Sequence, residues 1–114
     1  VDHRGFQGNT SAFGIAVAEK VNSPRVRLLY DIYHMQISEG DIIRSIRTNG
    51  KYFAHYHTAG NPGRNEIGSA QELNYPAIAK AIADSGYSGW IAQEFSPRGE
   101  REAALTEARE RCTV

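Results

Sequence analysis

Three residues in this chain are of types that hold a divalent cation: Asp31, His57 and Glu94. Each stands at the end of a run that reads as a β-strand: Arg25 to Asp31, Tyr52 to His57, and Gly89 to Phe95. Two carboxylates and an imidazole offer the mixed oxygen and nitrogen donors that suit Mg, Mn, Co or Zn, and three protein ligands leave positions open for substrate oxygens. A single aspartate at a strand end is as easily a cap for the next helix or a turn residue. Three strand ends that all finish in ligand types point to a shared site, because α/β sheets and barrels build their chemistry at the carboxyl ends of strands.

Around this trio stand further candidates. His34, three residues after Asp31, can reach a bound substrate or orient a ligating carboxylate, or serve as a loop histidine bonded to backbone. Arg64 lies in the turn-rich segment Asn61-Pro62-Gly63-Arg64-Asn65, and its planar fork fits a carboxylate or phosphate. The competing reading of Arg64 is a salt bridge to Glu66 or Glu72 that fastens the loop. His55 shares the strand face of His57, one layer deeper, and reads as a satisfied core histidine.

The elements that must position these groups can be read from periodicity and punctuation. Residues 1–10 read as a loop, and Thr10 or Ser11 N-caps a helix through Val21 with Phe13, Ala16 and Val17 on one face. Asn22-Ser23-Pro24 ends it, and the strand to Asp31 follows, apolar enough to be buried on both faces. Ile42, Ile43 and Ile46 recur at helical spacing within Glu39 to Asn49, stopped by Asn49-Gly50. After the second strand comes a long polar loop, Thr58 to Glu72, of a length that is often functional. Asn74 to Ser85 forms the third helix, with Asn74 as N-cap, Pro76 in the first turn and Gly86 past the end, and Glu100 to Arg111 forms the last. The alternation of helices with strands predicts parallel strands joined by right-handed crossovers, in βα units of about 30 residues.

Composition bounds the partners. The 114 residues, 40% hydrophobic, suffice for a single domain spanning 1–114. Thirteen basic and thirteen acidic side chains cancel to a formal charge of zero, which gives no overall electrostatic footprint for nucleic acid. No apolar run approaches the roughly 18 residues that span a bilayer, and the opening Val-Asp-His-Arg-Gly is no signal peptide. The expectation is a cytoplasmic protein without nucleic-acid or membrane partners. The lone Cys112 has no partner for an internal disulfide.

The block Leu28-Leu29-Tyr30-Asp31-Ile32-Tyr33-His34-Met35-Gln36, followed by Glu39-Gly40-Asp41 and Ile46-Arg47, resembles the hydroxypyruvate isomerase family of the xylose-isomerase-like TIM barrels. Ala59-Gly60-Asn61-Pro62-Gly63-Arg64, Leu73-Asn74-Tyr75 and Gln93-Glu94-Phe95 continue the likeness, which runs from about residue 10 to 97. The resemblance implies that Asp31, His57 and Glu94 are metal ligands, that Glu94 doubles as an acid/base carboxylate, and that His34 and Arg64 touch the substrate. It implies an isomerase or epimerase that moves a proton between adjacent carbons of a small α-hydroxycarbonyl compound through an enediolate. Two departures stand out. Hydroxypyruvate isomerases often carry Gln where this chain has His57, and the family's remaining Glu ligand belongs to a strand that would precede residue 1.

A full barrel needs about 250 residues and eight strands, whereas this sequence accounts for three strands and about four helices. The expected fold is therefore a partial TIM (β/α) barrel, the C-terminal part of one. Its open edges and a barrel-facing surface drawn from Leu28, Tyr30, Phe53, His55 and Ile91, or their neighbours according to register, invite association. The expected partners are a small-molecule substrate and either further copies of the chain or a preceding barrel half. With three of four ligands and one of two acid/base groups, the expectations are a weakly held metal and little or no turnover by the chain alone. The alternative is a non-catalytic barrel fragment that self-associates.

Overall fold

The computed structural model describes residues 5–114, so residues 1–4 of the opening loop lie outside the described residues. The order is α1 (Ser11–Val21), β1 (Leu28–Asp31), α2 (Ile32–Ser38), α3 (Ile42–Asn49), a 3-10 turn (Gly50–Tyr52), β2 (Phe53–Thr58), α4 (Tyr75–Asp84), β3 (Ile91–Gln93) and α5 (Arg101–Cys112). The three strands form one parallel sheet in the order β1-β2-β3. Helices cover one face of this sheet; the opposite face is open among the described residues.

Local chemistry sets several of these boundaries. The Thr10 hydroxyl accepts from the Phe13 amide and begins α1, and the Asn74 side chain accepts from the Ala77 amide and begins α4. Five α-helices form rather than the four expected. The unforeseen one, α2, has only seven residues, too few to display a 3.6-residue repeat, and it starts directly on the strand because Asp31 caps it. The helix expected from Glu39 starts instead at Ile42, since Gly40 and Asp41 take left-handed φ values of 65° and 49°.

The core lies between sheet and helices. Tyr30 and Phe53 stack with ring centroids 4.4 Å apart, and Tyr56 meets both edge-on at 6.0 and 5.9 Å. Ile42 and Ile46 of α3, Ile78 and Ile82 of α4, and Ile67 of the β2–α4 loop close over these rings. Ala104 and Ala108, the buried residues of α5, are small, which lets that helix lie close to its neighbours.

Phe53 and Tyr56 are three residues apart yet share the buried face, which strict alternation forbids. A register shift resolves this: Leu28 pairs with Phe53 but Leu29 pairs with His55, leaving Ala54 as an extra residue. Of the surface residues expected to line the barrel interior, Tyr30 and Phe53 therefore face the helices, and Leu29 joins His55 on the open side. Leu29 is 52% exposed there. The face of α1 bearing Phe13, Ala16 and Val17 is likewise exposed; Ala18 is its buried residue, and Gly14 lies against Leu28.

Candidate metal centre

Parallel pairing places Asp31 opposite His57, and His57 opposite Ala92. Glu94 lies two residues past Ala92 and so returns to the same face; its amide continues the ladder by donating to the Thr58 carbonyl at 2.9 Å. The three side chains meet at the carboxyl rim of the sheet, where one donor atom from each lies within 4.8 Å of the others. His57 Nδ1 is 3.0 Å from Glu94 Oε2 and 3.9 Å from Asp31 Oδ2.

Asp31 does two jobs with two oxygens. Oδ1 accepts from the amides of Tyr33 (3.0 Å) and His34 (3.2 Å), capping α2, while Oδ2 faces the rim. The helix-cap reading of this residue therefore holds, and the cap leaves Oδ2 at the rim beside His57. Its carboxylate is only 12% exposed and cannot rotate away without uncapping α2.

His34 sits in the first turn of α2, with Nε2 3.6 Å from the same Asp31 Oδ2 and its ring edge-on to Tyr33. Arg64 answers neither Glu66 nor Glu72. Its Nη2 bonds Glu94 Oε2 and lies 3.6 Å from Asp31 Oδ2, and its Nε donates to the Glu94 carbonyl at 3.4 Å. Glu66 pairs with Arg98 instead. His55 is half-buried beneath the rim, its ring edge-on to that of His57 with centroids 4.9 Å apart.

The loop between β2 and α4 is built to present Arg64. Gly60 donates to the Asn65 carbonyl at 2.7 Å, and the Arg64 carbonyl accepts from Ser96 at 2.9 Å, tying the turn to the exit of β3. A side chain at Gly60 would stand 2.5 Å from the Glu66 carbonyl oxygen, so only glycine permits this closure. Arg64 itself takes a left-handed φ of 56°. At the loop's end the Tyr75 hydroxyl holds both backbone groups of Ala59, accepting from the amide at 3.0 Å and donating to the carbonyl at 2.7 Å.

Burial raises the pKa of Glu94, but the Arg64 guanidinium and His57 outweigh it and hold the carboxyl below its ordinary 4.5. Glu94 is therefore a carboxylate at neutral pH. The donor set fits a divalent ion. Ligands at about 2.0–2.3 Å from a metal lie up to ~4.5 Å apart, so the three ligands themselves need shift by only a few tenths of an ångström, once the Arg64 guanidinium has left their oxygens. Sequence reasoning missed Tyr33, whose ring lies 5.5 Å below the Arg64 guanidinium carbon. Its place between Asp31 and His34 was the available signal.

A parallel β/α segment with carboxylates, imidazole and guanidinium gathered at its carboxyl rim is the architecture of a (β/α)-barrel enzyme site. The family model described as xylose isomerase-like TIM barrel matches residues 2–113, and the chain belongs to that family. Hydroxypyruvate isomerase of Escherichia coli is 33% identical over 104 residues, and 2-oxo-tetronate isomerase of Cupriavidus necator is 34% identical over 104. In both comparisons the match covers 91% of this chain and 40% of the relative, so the chain spans well under half the length of these proteins. The crystal structure titled AP endonuclease, family 2, from Brucella melitensis superposes with a TM-score of 0.88 at 32% identity, covering 96% of this chain and 42% of that one.

Proposed function

We propose that the rim belongs to a divalent-metal-dependent isomerase or epimerase acting on small α-hydroxycarbonyl compounds. The observation that carries this reading is the convergence of Asp31, His57 and Glu94 from three strand ends. When bound, a divalent cation would polarise adjacent substrate oxygens and offset the charge that develops on them. Glu94, ionised and at the exposed edge of the cluster, is the group that takes or returns a proton at a substrate carbon. His34 and Arg64 bind substrate, with His34 also steadying Asp31. Arg64 suits a carboxylate, and the similar proteins from E. coli and C. necator are named for acids that carry one. Mn, Mg, Co and Zn all suit the donors.

The Brucella neighbour's title names an AP endonuclease. A chain of zero formal charge favours a small substrate over a phosphate backbone. We further propose that this stretch alone holds metal weakly and turns over slowly, and that its open sheet face associates with another chain. Loss of one positioned acid/base group typically lowers a rate about a hundredfold to ten-thousandfold. The test is hydroxypyruvate and ketose isomerisation by the 114-residue chain with added Mn. Turnover near background that rises on adding Mn and vanishes in Glu94→Gln is expected; robust turnover by a monomer would contradict the proposal that this stretch alone is slow, and a rate indifferent to Mn and to Glu94→Gln would contradict this account of the rim.

A further inference from the structure

Arg64 occupies the ground a metal would need. Its Nη2 contacts Glu94 Oε2 and approaches Asp31 Oδ2 to 3.6 Å, and these two oxygens are the ones His57 Nδ1 also faces. A cation bound by Asp31, His57 and Glu94 and a guanidinium bonded to the same oxygens would sit side by side as like charges, a few ångströms apart. Arginine cannot relieve that conflict by losing its proton, because the guanidinium stays charged at any accessible pH. It must move. It has room to do so: the Arg64 side chain is 36% exposed, and the Tyr33 ring beneath the guanidinium attracts a cation and can keep hold of it as it leaves the carboxylates. Meanwhile the backbone of Arg64 is pinned through the Ser96 amide at 2.9 Å, so the side chain can swing without the loop.

We propose that Arg64 is an internal counter-ion that competes with the divalent cation for Asp31 and Glu94. In this role it sets the metal affinity and couples metal binding to capture of a carboxylate. Without metal, the guanidinium neutralises the carboxylate pair and is spent on it. Metal binding frees the fork, and a freed fork is available to the carboxylate of an incoming substrate. Linkage makes the effect reciprocal: a carboxylate that holds Arg64 away from Glu94 strengthens metal binding by the same factor. This inference rests on the metal-site reading and adds to it the order in which charges are exchanged.

The test is Mn binding by the full chain, followed by the loss of the free-ion paramagnetic resonance signal, for wild type and Arg64→Gly, a replacement that suits the left-handed backbone. The variant is expected to bind Mn about tenfold more tightly, as expected for removing a competing charge from a partly exposed cluster. Lactate, corrected for its own chelation of Mn, should tighten binding in wild type and leave the variant unchanged. A measurement on wild type alone covers the case in which the variant fails to fold. In ¹⁵N spectra of wild type the Arg64 guanidinium, bonded to Glu94, is expected to show hindered rotation without metal and free rotation with saturating Mg. Equal or weaker Mn binding by the variant, an equal lactate effect in both proteins, or an Arg64 signal indifferent to Mg would each overturn the competition. Absence of Mn binding in both proteins would instead overturn the metal site on which it rests.

Discussion

Asp31 shows how one side chain can serve fold and site through separate atoms. Oδ1 holds the first turn of α2 and Oδ2 faces His57 and Arg64. The two contributions are separable by substitution. Asparagine caps helices about as well as aspartate, so Asp31→Asn is expected to unfold within about 0.5 kcal/mol of wild type while losing tenfold or more in Mn affinity. Asp31→Ala loses the cap as well and is expected to fall by about 1 kcal/mol. Urea unfolding and Mn titration on the three proteins check this; equal Mn affinity in Asp31→Asn would remove Asp31 from the ligand set. Thr10, Asn74 and the strand-end trio were legible in the sequence because caps and strand ends are local signals. The partner of Arg64 was not, because a surface arginine near Glu66 and Glu72 in sequence finds Glu94, thirty residues away, only through the tertiary fold.

Elements carried the subtler information. The parallel order β1-β2-β3 followed from the alternation of helices and strands, but the register did not, since the extra residue at Ala54 inverts what pure alternation assigns. Phe53 and Tyr56 thereby enter one aromatic layer with Tyr30. Helix α2 was hidden by its brevity, and the exposed face of α1 by the fact that an apolar stripe records a need for cover without saying what supplies it. The aromatic layer has a measurable consequence. Burial raises Tyr56 from its ordinary 10.0 to about 12, and its hydroxyl has no hydrogen-bond partner among the described residues. The unfolded chain ionises this tyrosine near pH 10 while the folded chain keeps it protonated. The resulting stabilisation is present in full below pH 10 and is lost as pH rises toward 12, roughly 2–3 kcal/mol from this residue. Tyr56→Phe is expected to match or exceed wild-type stability at pH 7 and to lose less between pH 10 and 12. Urea midpoints measured across that range decide it, and identical alkaline slopes would refute it.

Among the described residues the molecule is a sheet covered on one side and bare on the other. Leu29 and His55 lie on that side, Trp90 before β3 is 83% exposed, and the outer edges of β1 and β3 are unpaired among the described residues. Unpaired parallel edges and apolar surface favour association. Sedimentation equilibrium is expected to show species larger than a monomer at micromolar concentrations, shifted toward monomer by Leu29→Lys; a strictly monomeric wild-type chain would refute the association. At the rim, Glu94 is left with its side chain 46% exposed. Three strands bring three donors together, and the relatives from E. coli and C. necator are more than twice as long. The account as a whole stands on the convergence of Asp31, His57 and Glu94 upon one cation. Crystals of the chain grown with Mn and measured at its absorption edge test this most directly. The result predicted is an anomalous peak about 2.0–2.3 Å from Asp31 Oδ2, His57 Nδ1 and a Glu94 carboxylate oxygen. A peak bound by other residues, or an empty rim at saturating Mn, would contradict it.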